Sequence, residues 1–382
     1  MDNNESIQEF ILNISKWFKL NEYKGLDPYQ LDEKASGLIR RFPFLKYVRK
    51  LLKPFHALIP KSSFSSFPKI YHPKALGLII GGNSLLFKLT GNKDLLEENY
   101  NLLNILRNLR NRDYKHLAWG SPFEWGSKPR YLINTPAVCL ISPIGNAILD
   151  FYEASLQTEV LDFCKDISLH ILNENGYKSI DENTICLYYS PVDKNEVYNS
   201  NALAAKFLFR LSNHLNDIEM KEIAEKITNY VLTGQNIDGS WVYSDSSDVI
   251  DNRHTGFILE SLASIRRYYR SELIERAYGK GLAYYMERLM DNGLPRWSPE
   301  KTYPIDIHDV AQSVITFTEA EDLKRANYIA NFAIENMSNG KDEFYFKFFK
   351  SGKVNKNVFI RWGQAWMYYA LTKLMVENEK DI

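Results

Sequence analysis

The sequence predicts an all-α fold in which helical hairpins lie side by side and close into a ring, an (α/α)6 toroid spanning residues 1 to 382 as one domain. Three observations carry this. One layout recurs: a short Gly-bearing or aromatic loop, a polar anchor, then a long apolar helix. It is seen from Asn175, from Asp238 (DGSWVYSDSSDVIDNRHTGFILESL), from Asp291 (DNGLPRWSPEKTYPIDIHDVAQ) and from Lys341. The anchors Asn201, His254, His308 and Arg361 follow one another at 53, 54 and 53 residues, a period with room for two helices and two connections. Apolar residues in the intervening segments recur at three and four positions, the spacing of one helix face.

Two more anchored helices complete six. An interval of 55 residues toward the N-terminus reaches Asn146 in SPIGNAILDFYE, and PKALGLIIGGNSLL from Pro73 supplies the last, further away because an aromatic insertion intervenes. Taken in order, residues 6 to 20 form an amphipathic helix through Ile7, Phe10, Ile11, Ile14, Trp17 and Phe18. The loop NEYKGLDPYQLDE follows, then a basic helical pattern from Lys34 to Leu58 broken by Pro43 and Pro54, then the Ser-, Pro- and Phe-rich loop 60 to 74. Outer helices are expected over Asp94 to Asn108, Thr158 to Leu172, Lys221 to Thr233, Ser271 to Met290 and Asp322 to Glu335. Their inner partners start near Pro73, Asn146, Ala202, His254 and His308, and the helix from Arg361 to Asn378 pairs with the N-terminal helix to close the ring. Gly81 and Gly82, inside a packed helix, mark a close approach by a neighbour. The stretch from Asp181 to Asn201 reads as a connector.

Composition bounds function. The chain exceeds the size at which an ordinary single core stops growing, but two closed helical layers accommodate it. At 14% aromatic, with 24 Tyr, 21 Phe and 7 Trp, it holds a stock for sugar-stacking or apolar pockets. Lys and Arg (47) balance Asp and Glu (47), so no general cationic field argues for nucleic acid, although a local charged groove stays open. The N-terminus lacks the pattern of a secretory signal, and the longest apolar run, Ala75 to Leu89, is broken by Gly77, Gly81, Gly82, Asn83 and Lys88. A cytoplasmic protein without a transmembrane segment is the expectation. Cys139, Cys164 and Cys186 have no metal-like spacing and read as structural thiols. Asp245, Asp248 and Asp251 suggest a calcium loop but lack its glycine and terminal glutamate. No metal or cofactor is expected.

If the inner helices start at one rim, groups distant in sequence meet there. His254, Asp306, His308 and Asp309 become candidates for acid/base work. Glu124, flanked by tryptophans in a long connector, is a second carboxylate, and Tyr71 and His72 occupy the equivalent place before the helix at Pro73. Trp119, Trp125, Tyr188, Trp241, Tyr243, Tyr303 and Trp362 are the expected sugar platform, with Tyr29, Asn201 and Gln312 as polar contacts and Arg361 as an anion clamp. Each has a plainer reading: Trp119 and Trp125 as core plugs, Asn201 as a helix cap, His308 as a helix-start residue bonded across repeats. Glycoside hydrolysis would use two carboxylates, for which Asp306 or Asp309 with Glu124 are best sited; a uronate epimerase or lyase would use a histidine or tyrosine base. The residues leave that choice open.

YKGLDPYQ, GQNIDGSWVYSDSSDVIDNRHTGFILESL, YPIDIHDVAQ and IRWGQAWMYYAL, taken in order, resemble the VpsJ-like toroid proteins of surface-polysaccharide gene clusters. The matching positions are Asp27, Pro28, Tyr29, Asp238, Gly239, Trp241, Tyr243, Asp251, His254, Thr255, Gly256, Tyr303, Asp306, His308, Gln312, Arg361, Trp362 and Gln364. More distantly, DGSW is similar to the terpenoid-cyclase and prenyltransferase toroids, and the architecture to N-acylglucosamine 2-epimerase, uronyl C5-epimerase and unsaturated glucuronyl hydrolase relatives. The cyclase likeness departs where it matters, since neither DxDD nor DDxxD occurs. The resemblance implies a six-hairpin toroid acting on a glycan, or on a lipid-linked or nucleotide-linked sugar, in association with polysaccharide assembly enzymes. A non-catalytic glycan-binding or scaffold protein and an isoprenoid-handling toroid are the rival readings.

Overall fold

A computed structural model describes residues 3–30, 67–126 and 130–380; the basic segment from Lys34 to Leu58 and the first half of the loop after it lie outside the described residues. The chain is an (α/α)6 toroid. Its inner layer is α2 (Pro73–Thr90), α4 (Val138–Ser155), α6 (Tyr198–Leu215), α8 (Asn252–Ile265), α10 (Ile307–Glu319) and α12 (Trp366–Lys380), the last entered through a π-helical turn, Ile360–Ala365. Each inner helix packs on the next, and α12 returns to α2 to shut the ring. The outer layer is α3 (Asp94–Leu109), α5 (Thr158–Asn173), α7 (Ile218–Thr233), α9 (Glu272–Arg288) and α11 (Leu323–Asn336), with α1 (Asn3–Leu20) lying against α12 as its outer partner.

The two layers differ in sequence for a physical reason. Inner helices touch neighbours on every side, so α2 and α4 are buried around their whole circumference. Outer helices bury one stripe only: in α7 this is Met220, Ala224, Ile227, Tyr230 and Val231, with the Glu and Lys positions in water. Each fully buried Leu, Ile or Phe contributes roughly 1.5–3 kcal/mol, which makes the inner layer the core. Aspartates set several helix starts: Asp217, Asp251, Asp306 and Asp322 each accept a backbone N–H of the first turn, a cap that contributes about 1 kcal/mol. Gly81 and Gly82 lie against Tyr369 and Tyr368, where an added Cβ would come within 2.8 and 2.4 Å of the rings.

Three expectations are corrected. The helix read from Asn146 starts at Val138 and carries Pro143 inside it; a proline this near the start removes only the bond to the Cys139 carbonyl, so the helix tolerates it. The connector before α6 contains an antiparallel sheet, β1 (Tyr177–Asp181), β2 (Thr184–Ser190) and β3 (Asp193–Glu196), with Tyr177 opposite Leu187 and Tyr188 opposite Glu196. Its central strand TICLYYS is rich in β-branched and aromatic residues and is mostly buried. The last inner helix opens with a π turn, in which the Gly363 and Gln364 N–H groups both donate to the Phe359 carbonyl (3.1 Å each), and such turns often accompany functional sites.

Candidate active site

One positional rule builds the mouth of the ring. The second residue of every inner helix, Lys74, Cys139, Asn199, Arg253 and His308, and the second residue of the π turn, Arg361, lines a single cavity of about 210 Å³. His254 and Trp362 follow one position later, and Phe257 lies one turn below. Loops finish the wall with Tyr29, Ser121, Trp125 and Tyr243, and strand β2 adds Tyr189. All six helices point their N-terminal ends, with partial positive charge and unsatisfied N–H groups, toward this mouth.

The DPY loop is stitched to the last repeat. Arg361 donates from Nε and Nη2 to the two oxygens of Asp27 (2.7 and 2.9 Å), and the Ile360 N–H reaches the Leu26 carbonyl (3.0 Å). Gly25 permits this approach, since a Cβ there would stand 2.5 Å from the Ile360 Cβ. The guanidinium expected to clamp a substrate anion is therefore already occupied by Asp27. Its work is to hold Tyr29 in the wall, 5.4 Å ring to ring from Trp362.

The two histidines are set up differently. Asp251, the cap of α8, takes the His254 backbone N–H (2.9 Å) and holds Nδ1 of its ring at 2.6 Å. Burial works against the Asp251 charge, but His254, its hydrogen bonds and Arg253 prevail and hold the carboxyl at about 2. A carboxylate on Nδ1 makes that nitrogen the donor and leaves Nε2 with a lone pair, the arrangement of a general base. His308 is buried, and Arg253 Nη1 donates to its Nδ1 (3.3 Å), which puts the proton on Nε2. That atom has no partner among the described residues. Burial, then the charges of Arg253, Lys74 and Arg361, push His308 well below the ordinary histidine value, so it is a neutral N–H donor. The ring of Phe257 packs against both imidazoles, 6.3 Å from His254 and 6.1 Å from His308. The two environments separate the roles of base and acid.

Other polar atoms around the cavity are also left open. Asn199 Oδ1 and Trp125 Nε1 have no partner among the described residues, and buried polar groups in folded proteins are rarely left so without a ligand or water to meet them. Cys139 donates to the Tyr189 hydroxyl (3.0 Å). Lys74 is 6% exposed and stands over the rings of Trp366 and Phe257 (5.4 and 5.8 Å). Burial, with Arg361 and Arg253 nearby, pushes its ammonium down to about 8.

Of the residues expected at the site, Tyr29, Trp125, Tyr243, His254, His308, Arg361 and Trp362 line the cavity, and the others do not. Asp306 is a structural cap, taking the His308 N–H (3.0 Å) and the Trp362 indole N–H (2.7 Å). Asp309 is buried beside Arg253 (3.6 Å), and burial raises its carboxyl well above the usual range against the pull of that guanidinium. Glu124 is ion-paired with Arg130. His72 caps α2, its Nδ1 accepting the Lys74 N–H (3.2 Å), and Tyr71 lies under Lys24. Trp119 and Trp241 are plugs: each is buried and donates its indole N–H to a carbonyl near the end of the preceding outer helix, Leu106 (2.8 Å) and Val231 (2.9 Å). Asn201 is buried against β2, bonded to the Leu187 N–H (2.8 Å) and carbonyl (3.1 Å). Gln312 donates to Glu260 (3.0 Å) below the cavity floor. Tyr188 and Tyr303 stand outside the cavity wall. In the acidic loop, Asp245 accepts from the Tyr198 hydroxyl; among the described residues no three His, Cys, Asp or Glu side chains gather as a metal cage.

Lys74 and Arg253 were not singled out from sequence, Cys139 was read only as a structural thiol, and Asn199 and Tyr189 only as polar members of the connector before α6. The signal was present: had the repeat been registered on the second helical residue, Lys74 in PKALGLII and Arg253 beside His254 would have fallen into line with His308 and Arg361.

No protein-family model and no curated protein matches the sequence. Solved structures of the same architecture do. A cellobiose 2-epimerase from Bacillus thermoamylovorans B4167 aligns with a TM-score of 0.65 at 12% identity, over 82% of this chain and 88% of that one. The cellobiose 2-epimerase from Spirochaeta thermophila DSM 6192 aligns at 0.64 and 12%, over 81% and 87%. A family 76 α-mannanase from Bacteroides thetaiotaomicron aligns at 0.62 and 11%, over 81% and 88%. At such identities the likeness shows the fold alone, the (α/α)6 toroid that sugar epimerases and glycoside hydrolases both use. Among the described residues no helix is long and apolar enough to cross a membrane.

Proposed function

We propose that the protein is a sugar-processing enzyme that moves a proton at a carbon next to a carbonyl, an epimerase or isomerase rather than a glycoside hydrolase. One observation carries the choice: among the described residues no Asp or Glu lines the cavity, whereas two differently prepared histidines do. Hydrolysis with acid and nucleophile, or acid and base, commonly needs a carboxyl on each side of the scissile bond, and Asp306, Asp309 and Glu124 all stand outside the cavity wall. In the proposed reaction His254, oriented by Asp251, takes the proton from carbon through Nε2. The neutral His308 donates its Nε2–H to the carbonyl oxygen as negative charge develops there. His254, now carrying that proton, returns it to the planar enediolate while His308 takes its own proton back from the oxygen. Return to the neighbouring carbon isomerises the sugar, and return to the same carbon after the enediolate has turned its other face to Nε2 inverts the centre. Trp125, Tyr243 and Trp362 give the cavity wall aromatic surface for a sugar to lie against.

The epimerase neighbours support this reading over the mannanase ones, because the fold admits both chemistries and the cavity favours the first. The volume, below the roughly 300–1,000 Å³ of ordinary ligand pockets, suits one or two sugar rings in place of a polymer. A setting in surface-polysaccharide synthesis, with a lipid-linked or nucleotide-linked sugar, is compatible with a small sugar entering the mouth. The test is a proton NMR time course in heavy water with a panel of reducing sugars and uronates. Solvent deuterium at the carbon beside the carbonyl is the expected result; new reducing ends without deuterium at carbon would overturn it in favour of hydrolysis.

A further inference from the structure

Building on that reading of the cavity as a sugar site, we propose that its substrate carries an anionic group, a carboxylate or a phosphate, and that Lys74 is the residue that binds it. The fold neutralises its other interior lysines from within. The buried Lys206 is ion-paired with Glu260, and the half-buried Lys373 sits 2.6 Å from Glu319. Lys74 is nearly as buried as Lys206 and, among the described residues, no carboxylate comes within ion-pair distance of it. Two aromatic faces, Trp366 and Phe257, hold the ammonium, and ring faces stabilise a cation without cancelling its charge.

The surroundings deepen the deficit. Among the described residues the cavity wall holds Lys74, Arg253 and Arg361 and no acidic side chain. Arg361 is balanced by Asp27, while Arg253 faces Asp309 at 3.6 Å without a hydrogen bond. Six helix N-termini add partial positive charge at the same place. Taking an ammonium out of water is costly unless a counter-charge meets it, and in this cavity the missing counter-charge is of a size a small ligand can supply. An amino sugar with a free ammonium would meet like charge and is disfavoured; a uronate or a sugar phosphate completes the site.

The experiment is calorimetric titration of the full chain with glucuronate, glucose 6-phosphate and glucose, repeated for Lys74→Met and Lys74→Arg, with a thermal melt of each variant to verify folding. At least one acidic sugar should bind about tenfold or more tightly than glucose, the worth of one charge-assisted contact. The ratio should collapse toward one in Lys74→Met and be largely retained in Lys74→Arg. The arm that wins tells carboxylate from phosphate. Equal affinities for acidic and neutral sugars, a preference that survives Lys74→Met, or no binding of either acidic sugar at millimolar concentration overturns the proposal. The two readings fail separately: Lys74-dependent binding of an acidic sugar without deuterium exchange removes the proton-transfer chemistry and leaves the anion site. Exchange that proceeds equally on neutral sugars and ignores Lys74→Met does the reverse.

Discussion

Deep in the ring the inner helices carry charges that meet their partners. Arg210 reaches Asp150 (2.7 Å) and Glu153 (2.8 Å), and Tyr369 closes on the other oxygen of Asp150 (2.8 Å). Lys206 and Gln312 share Glu260, and Lys373 and Arg267 share Glu319 (2.6 and 2.8 Å). At the mouth of the same helices the pattern reverses. Lys74 has ring faces in place of a carboxylate, His308 Nε2 and Asn199 Oδ1 are unpartnered among the described residues, and Asp309 has no hydrogen bond there. Since one set of helices builds both regions, the difference is not one of burial. Interior charges are completed by the chain, and the mouth is completed by something else.

The largest expected effect lies on the open side. His254→Gln and His308→Gln should each lower turnover by about 10²–10⁴, the range for a lost acid or base, with the melting temperature nearly unchanged. Full activity in either variant would mean that the open atoms are not chemical, and the contrast between the two regions would lose its meaning. On the closed side, Arg210→Met should cost about 3 kcal/mol in urea unfolding, because it leaves the buried Asp150 without a counter-charge and takes one cation from the half-buried Glu153. A cost near zero would show that the interior pairs are incidental to stability.

The sequence made the ring legible and the cavity only partly so. Helix period and repeat spacing depend on local patterns, and they place α8, α10 and the closing partnership of α1 with α12 close to where they are found. The site depends on register, and register failed where a local signal misled. Pro143 hid the first two turns of α4, moving the anchor from Cys139 to Asn146, which lies deeper and carries Arg210 on its carbonyl (2.9 Å). The tryptophans show the same limit. Trp119 and Trp241 sit in motifs that look like sugar platforms, yet each bonds a carbonyl of the preceding helix, whereas Trp125 reaches the cavity wall. Composition cannot separate a plug from a platform, because both require a large ring with one polar atom. Lys74 escaped notice for a related reason: a lysine in an apolar run reads as a helix edge until the six starts are seen to converge.

The acid limb of stability sharpens the comparison further. Burial raises the Glu319 carboxyl, but Lys373, Arg267 and Lys206 together bring it down to about 2, against an ordinary value of 4.5. A depressed carboxyl contributes stability that is complete above its unfolded value and is lost as pH falls from near 4.5 toward about 2, here roughly 3 kcal/mol. Glu319→Gln should flatten that limb in unfolding measured across the window. An unchanged slope would assign the acid sensitivity to other carboxylates, with Asp251 at the mouth the first to check.

The smallest effect is the most discriminating, because its sign is the point. Lys74 is lowered to about 8, first by burial and then by Arg361 and Arg253, from an ordinary 10.5. A lysine depressed in the folded state carries a penalty that is complete below about 8 and is relieved as pH rises toward 10.5. Two cation–π contacts offset part of that penalty. Lys74→Met keeps the apolar stem and removes the charge, so at neutral pH in the absence of ligand it should stabilise the protein by about 1 kcal/mol. The wild type should close that gap between pH 8 and 10.5. Removing a buried cation thus has opposite consequences at the two ends of one barrel: Arg210→Met destabilises because its partners stay behind, and Lys74→Met stabilises because its partner is not part of the chain. If Lys74→Met instead destabilised the ligand-free protein, Lys74 would belong with the interior network and the mouth would need another explanation.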